Sequence, residues 1–277
     1  MKKTIVIIAT LLMAIPLATK AQTDVDLDPE WGGRISATVD KKLNRSLHIY
    51  LEEEARVDGN FGSFNRLQTT LGATYKLPAG VKLGLGYALI APYSSANSAF
   101  KSVRHRLMLD ASYSYRFGDW QLSLKERLQA TYRTGDMNEY QNPRTTLTLK
   151  SRLKVQYKGL RRLTPYAYLE LRNTLNAPVI SAYYNETTGE YFTSEGSLTG
   201  DAGWFLEGFS GAYVNRVRGC LGAEYRLDRR SRLEAYLLLD RVSDKQVDAN
   251  AEGTKLKSYT REQGFVGQLC LGYSYSF

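Results

Sequence analysis

The side chains that could do chemistry in this sequence recur at every second residue. Glu54 and Arg56, Arg104, Arg106 and Asp110, Lys125 and Arg127, and Lys150, Arg152 and Lys154 follow that spacing, as do Glu170 and Arg172. Arg218, Glu224, Glu234 and Asp240 fall on the same face of later segments. A two-residue repeat puts each set on one side of an extended strand. Basic groups outnumber acids among them, so a low-dielectric wall around that face would concentrate anions. Alternatively, side chains of opposite sign interlock and fill a narrow interior, since about eight strands are just filled and open channels appear near sixteen. Nucleophilic catalysis has little to draw on. A hydrolase needs a nucleophile, a base and an orienting group within reach, and the chain has two histidines, His48 facing inward and His105 outward. Ser151 and Lys154 have a serine–lysine spacing, but an offset of three puts them on opposite faces of a strand. No metal-ligand spacing occurs, and the pair Gly84 and Gly86 lacks the following helix that a nucleotide fingerprint requires. No catalytic residue, metal or cofactor is assigned.

The elements that position these groups are alternating strands. Leu83, Leu85, Tyr87 and Leu89 alternate with Lys82, Gly84, Gly86 and Ala88, and Leu147, Leu149, Leu153 and Val155 alternate with Thr148, Lys150, Arg152 and Lys154. In the closing stretch, Phe265, Leu269, Leu271, Tyr273, Tyr275 and Phe277 oppose Gln268, Ser274 and Ser276. An aromatic-rich edge strand would invite aggregation, so the sheet is expected to close. Apolar residues then face lipid and polar ones the lumen, as in a transmembrane up-and-down antiparallel β-barrel. No run of about 18 apolar residues could form a transmembrane helix in the mature chain. Residues 1–21, with Lys2 and Lys3 before an apolar run and Thr19-Lys20-Ala21 at its end, read as a secretory signal peptide.

Segment 31–40 and ten further segments from 46–57 to 264–277 alternate in this way. Connectors at 78–80, 118–119, 158–162 and 228–231 are short and read as periplasmic turns. Those at 58–65, 92–102, 134–143, 176–212 and 243–263 are longer and read as extracellular loops. Tyr75, Tyr115, Phe117, Trp120, Tyr157, Tyr225 and Tyr275 collect beside the short turns, as interfacial anchors do. Ten strands over 46–277 would close evenly. Segment 22–45 is then an extra strand or a plug, which leaves between ten and twelve strands.

Several finer expectations follow. If Phe117 faces Trp120, Asp110 lies opposite Arg127, and around the next turn Lys150 opposes Glu170. Gly72, Gly84, Gly86 and Ala88 form a small-residue patch that something bulky approaches, from the opposite wall or from the N-terminal segment. Glu126 shares the lipid face with Leu122, Leu124 and Leu128, where an acid costs free energy. Cys220 and Cys270 lie on strands with another between them, too far apart for a disulfide. In the longest loop Tyr183, Tyr184, Tyr191, Phe192, Trp204 and Phe205 offer a binding surface or a lid.

The order of Trp31 with Asp40-Lys41-Lys42-Leu43, Leu51-Glu52-Glu53-Glu54-Ala55-Arg56, Leu85-Gly86-Tyr87-Ala88-Leu89-Ile90, Arg104-His105-Arg106-Leu107, Leu124-Lys125-Glu126-Arg127-Leu128 and Leu169-Glu170-Leu171-Arg172 resembles the outer-membrane barrel family catalogued as domain of unknown function 2490. That family is common in Gram-negative Bacteroidetes. The resemblance implies a barrel in the outer membrane and carries no catalytic residues. The expected role is structural or binding, or that of a narrow anion-preferring channel. An envelope enzyme acting on lipid or polysaccharide, and a receptor or adhesin working through 176–212, are the alternatives. Expected partners are outer-membrane lipid, the barrel-assembly machinery through the C-terminal strand, and a small anionic ligand, with no nucleic acid.

Overall fold

The computed structural model describes residues 23–185, 187–193, 196–197, 206–253 and 255–277. Residues 1–21, read as a signal peptide, lie outside the described residues, as do Trp204 and Phe205. Among the described residues eleven long strands make one closed barrel. They are β1 (Glu30–Lys42), β2 (Leu47–Asp58), β3 (Ser63–Lys76), β4 (Val81–Ser94), β5 (Arg104–Phe117) and β6 (Trp120–Arg133), followed by β7 (Thr145–Tyr157), β8 (Leu163–Ile180), β9 (Leu206–Arg226), β10 (Ser231–Ala249) and β11 (Leu256–Ser276). Each pairs antiparallel with the next in sequence. The circle closes where β11 meets β1 in parallel, from Val266 opposite Glu30 to Ser276 opposite Asp40.

That closure corrects the reading of segment 22–45 as something added to a ten-stranded barrel. β1 is wall. Its inward residues, from Arg34 to Asp40, are flanked on both sides by register partners from β2 and β11. The parity objection disappears because a parallel seam lets an odd number of strands close. Just upstream, Thr23–Asp26 also pairs in parallel with β11, from Thr260 to Gln263, and Trp31 lies across Gly267, where a Cβ would come within 2.6 Å of the indole. Glycine at that position lets the ring lie flat on the seam.

Alternation explains which way each strand faces. Leu85, Leu169, Leu221, Leu269 and Leu271 stand outside and largely exposed, while Gln68, Gln129, Glu170 and Asp240 are buried within. Toward the long-loop end of β10 and β11 the rule reverses. Val247, Ala249, Leu256 and Tyr259 are buried, whereas Gln246, Asp248 and Lys257 are exposed. Apolar-out gives way to apolar-in there, the pattern of a wall that passes from an apolar surrounding into water. This reversal corrects the reading of 176–212 and 243–263 as loops throughout. β8 continues to Ile180, β9 starts at Leu206, and only 250–255 separate β10 from β11.

The β5–β6 hairpin has the expected register, with Phe117 opposite Trp120 and Asp110 opposite Arg127. The β7–β8 ladder is displaced by two residues: Glu170 lies opposite Arg152, and Lys150 opposite Arg172. Pro165 has no N–H to donate, and Leu163 to Pro165 pair with β9 only, so the ladder to β7 begins at Tyr166 with Gln156. A shift of two keeps every side chain on its expected face. Cys220 and Cys270 are buried and unbonded, with β10 between their strands.

Candidate functional site: a cationic lumen

Inward side chains are arranged as ion pairs around the wall. Asp110 accepts two hydrogen bonds from Arg127, at 2.6 and 2.7 Å, and holds Lys125 at 2.8 Å. Glu170 binds Arg152 at 2.5 Å and lies 3.8 Å from Arg218. Asp240, 0 % exposed, takes two bonds from Arg218, at 2.6 and 2.7 Å, and one from Arg216 at 3.1 Å. Glu224 meets Lys154 at 3.4 Å. Planar guanidinium forks on carboxylates are the strong form of such contacts; the ion pairs join β5 to β6 and, as a second group, β7 through β10.

The remaining charges are not matched. Arg34, Arg56 and Arg66 are direct register partners on β1, β2 and β3. Glu54 takes Arg56 at 2.6 Å and Arg34 at 3.3 Å. Arg66 forms no ion pair among the described residues, and its Nε is buried without a hydrogen-bond acceptor, as is the Nε of Arg172. Among the described residues, the side-chain hydrogen bond that holds Arg106 runs to the hydroxyl of Thr131, at 3.0 Å. Lys150, Arg104 and Arg172 also lack ion pairs among the described residues. Glu234 is engaged by a phenol instead of a cation: Tyr166 Oη donates to it at 2.6 Å. A small gap of about 60 Å³ lies among Lys125, Arg127, Lys150, Arg152 and Glu170. A larger one of about 220 Å³ opens toward the short-turn end, between Arg34, Glu52, Glu54, Lys154 and Tyr168.

Aromatic rings carry part of the packing. Lys154 Nζ stands 3.7 Å from the Tyr166 ring centre, and the Arg152 guanidinium 4.2 Å from that of Tyr168, contacts in which the ring face stabilises the cation. The small-residue patch is covered by Tyr50. A Cβ on Gly72 would come within 2.5 Å of its ring, and one on Gly86 within 3.0 Å of Met108 Cε. The bulky neighbours therefore come from β2 and β5, adjacent strands, which corrects the expected approach from the opposite wall or an N-terminal plug. Sequence reasoning missed Arg34, whose strand it left outside the wall, and did not name Arg216, which alternation with Arg218 puts on the inner face opposite Arg172.

The long-loop end is roofed by residues 134–144. Asn138 Nδ2 donates to the carbonyls of Ala249 and Asn250, at 2.9 and 3.0 Å, and Gln141 Nε2 to Asp248 at 2.7 Å. Tyr140 packs against the buried cluster of Ile180, Ala182, Val247, Ala249, Leu256 and Tyr259. This loop, between β6 and β7, thus reaches across to the β10–β11 hairpin. Tyr183, Tyr184, Tyr191 and Phe192 belong to a separate small ribbon formed by Tyr183–Asn185, Glu190–Thr193 and Gly196–Ser197.

On the outer face Glu126 accepts a hydrogen bond from Ser151 Oγ at 2.6 Å across β6 and β7. Glu53 repeats the arrangement with Thr69 at 3.0 Å across β2 and β3. A hydroxyl opposite each carboxylate offsets part of its cost beside lipid. Replacing Glu126 with Leu is expected to raise the unfolding free energy by about 1 kcal/mol, measured by urea titration in lipid vesicles. A loss of stability would contradict the assignment of Glu126 to the lipid face. His105, also outward, lies 2.6 Å from Tyr87 Oη, and His48 lies 3.4 Å from Asp40.

With this geometry in view, comparison with known families matches residues 34–251 to the family described as "Protein of unknown function (DUF2490)". The chain belongs to that family. None of the curated proteins compared matches it. Among solved structures it is similar to outer-membrane expressed OmpT of Vibrio cholerae, at 10% identity and a TM-score of 0.33, over 78% of this chain and 60% of that one. It is also similar to an anion-selective porin from Comamonas acidovorans, at 12% identity and a TM-score of 0.28, over 82% of each chain. The chain thus spans about 60% of the length of the first of these.

Proposed function

We propose that this protein is an outer-membrane barrel, its long loops outward, that retains small inorganic anions in a charge-filled lumen and does not pass them freely. The observation that carries this reading is the row Arg34, Arg56 and Arg66, three cations in direct register, of which Arg34 and Arg56 share Glu54 and Arg66 has no ion pair among the described residues. Like charges directly opposite destabilise a sheet, and a bound anion relieves them. Eleven strands lie nearer the filled limit of about eight than the open barrels of about sixteen, and the ion pairs from Asp110 to Asp240 line the interior between neighbouring strands. Retention, with no large conductance, is what such an interior supports.

Planar-bilayer recordings in chloride should show no steady current, while inorganic phosphate should raise the unfolding temperature, because a ligand of the native state stabilises it by mass action. Replacing Arg66 with Gln should raise stability in phosphate-free buffer and reduce the phosphate effect. A steady current in every salt would overturn retention, and a phosphate-independent unfolding temperature would overturn anion binding.

A further inference from the structure

We infer a second site, at the long-loop end, that takes a small organic anion carrying an apolar body. It goes beyond the lumen reading and uses none of the Arg34–Arg56–Arg66 row. A cavity of about 500 Å³ lies between the β4–β5 connection and the loop 134–144, lined by Arg104 and Arg133 together with Lys101, Phe100, Met137 and Asp136. That volume is within the range of small-molecule sites, about 300–1,000 Å³.

Arg104 and Arg133 are direct register partners on β5 and β6. Neither forms an ion pair among the described residues, so two guanidiniums stand side by side without a carboxylate. Such a like-charged pair opposes folding unless an anion bridges it, and paired guanidiniums match the planar oxygens of a carboxylate. Asp136 is the acid facing the three cations, which leaves the cavity positive.

The other wall is apolar and fixed. Phe100 meets Tyr93 edge-on at 5.3 Å and Phe64 at 6.3 Å, so its ring is held by two neighbours. The two walls are clasped at their base: Thr134 Oγ1 donates to the Val103 carbonyl at 2.7 Å, and a Cβ on Gly135 would come within 2.7 Å of Ser102 Oγ. Met137 adds a side chain that adapts to irregular apolar shapes, and its loop is anchored by Asn138 and Gln141. A hydrated inorganic ion would leave Phe100 and Met137 unused. An anionic head on an aromatic or short aliphatic body uses both halves of the cavity.

Fluorine NMR of 4-(trifluoromethyl)benzoate with the full chain in detergent micelles tests this, with 4-(trifluoromethyl)benzylamine reporting partition into detergent and trifluoroacetate reporting charge alone. Saturable binding of the benzoate, at least about tenfold tighter than that of trifluoroacetate, is expected, along with a loss of about tenfold or more in the double variant Arg104→Gln, Arg133→Gln. The variant should fold with an unchanged or higher unfolding temperature, since it removes a repulsion. Replacing Arg66 with Gln should leave benzoate binding intact, which separates this site from the lumen. Equal binding of the amine, or benzoate binding untouched by the double variant, would overturn the inference.

Discussion

Replacing Asp240 with Asn should cost about 3–5 kcal/mol of stability, because it leaves buried guanidiniums without their counter-charge. Asp240 is fully buried and receives three hydrogen bonds from Arg216 and Arg218. Arg218 keeps only the more distant Glu170, at 3.8 Å, and Arg216 has no other ion pair among the described residues. Replacing Glu224 with Gln is the natural comparison. Its one ion pair is 3.4 Å long and partly exposed, so less than about 1 kcal/mol should be lost. Urea titration of both variants in lipid vesicles separates the two costs. Equal effects would mean that the lumen is open to water throughout and that burial does not set the energetics of its charges.

The second large effect concerns the seam. Deleting residues 23–42 removes β1 and leaves β2 and β11 with unpaired edges, separated by the width of a strand. Ten strands could in principle close with all neighbours antiparallel. To do so, however, β2 and β11 would have to create a ladder for which their sequences were not matched, and the ion pairs of Arg34 with Glu54 and the cover of Trp31 over Gly267 would be lost. Open edges within lipid leave backbone groups unsatisfied at several kcal/mol each. The deletion is therefore expected to abolish folding, read as loss of the heat-modifiable band on a gel. A folded, protease-resistant barrel of residues 43–277 would show that β1 is dispensable.

The alternation along β4 and β7 was legible in the sequence because one side chain in two must meet an apolar surrounding, and that demand leaves a period of two. Asp110 opposite Arg127 was legible because the two-residue turn at Gly118 and Asp119 fixes the register on its own. The five-residue turn at 158–162 does not, and there the missing N–H of Pro165 moved the ladder by two. β1 was misplaced by a rule of parity that parallel closure evades, and with it went Arg34. The outer half of β10 and β11 was taken for loop because its alternation reverses: a search for apolar residues pointing out does not find a strand whose outside is water. The mouth cavity depends on which loops meet. Asn138 reaching Ala249 is a contact across more than a hundred residues, and no local pattern encodes it.

The measurement that bears most directly on the account is a nitroxide scan of β4, one label at a time from Lys82 to Leu89, in lipid vesicles. Labels at 83, 85, 87 and 89 should be relaxed by dissolved oxygen and shielded from a water-soluble nickel chelate, while labels at 82, 84, 86 and 88 should be immobilised and shielded from oxygen. A uniform response along the strand, or alternation with the faces exchanged, would contradict a wall with lipid on one side and a packed, charged interior on the other.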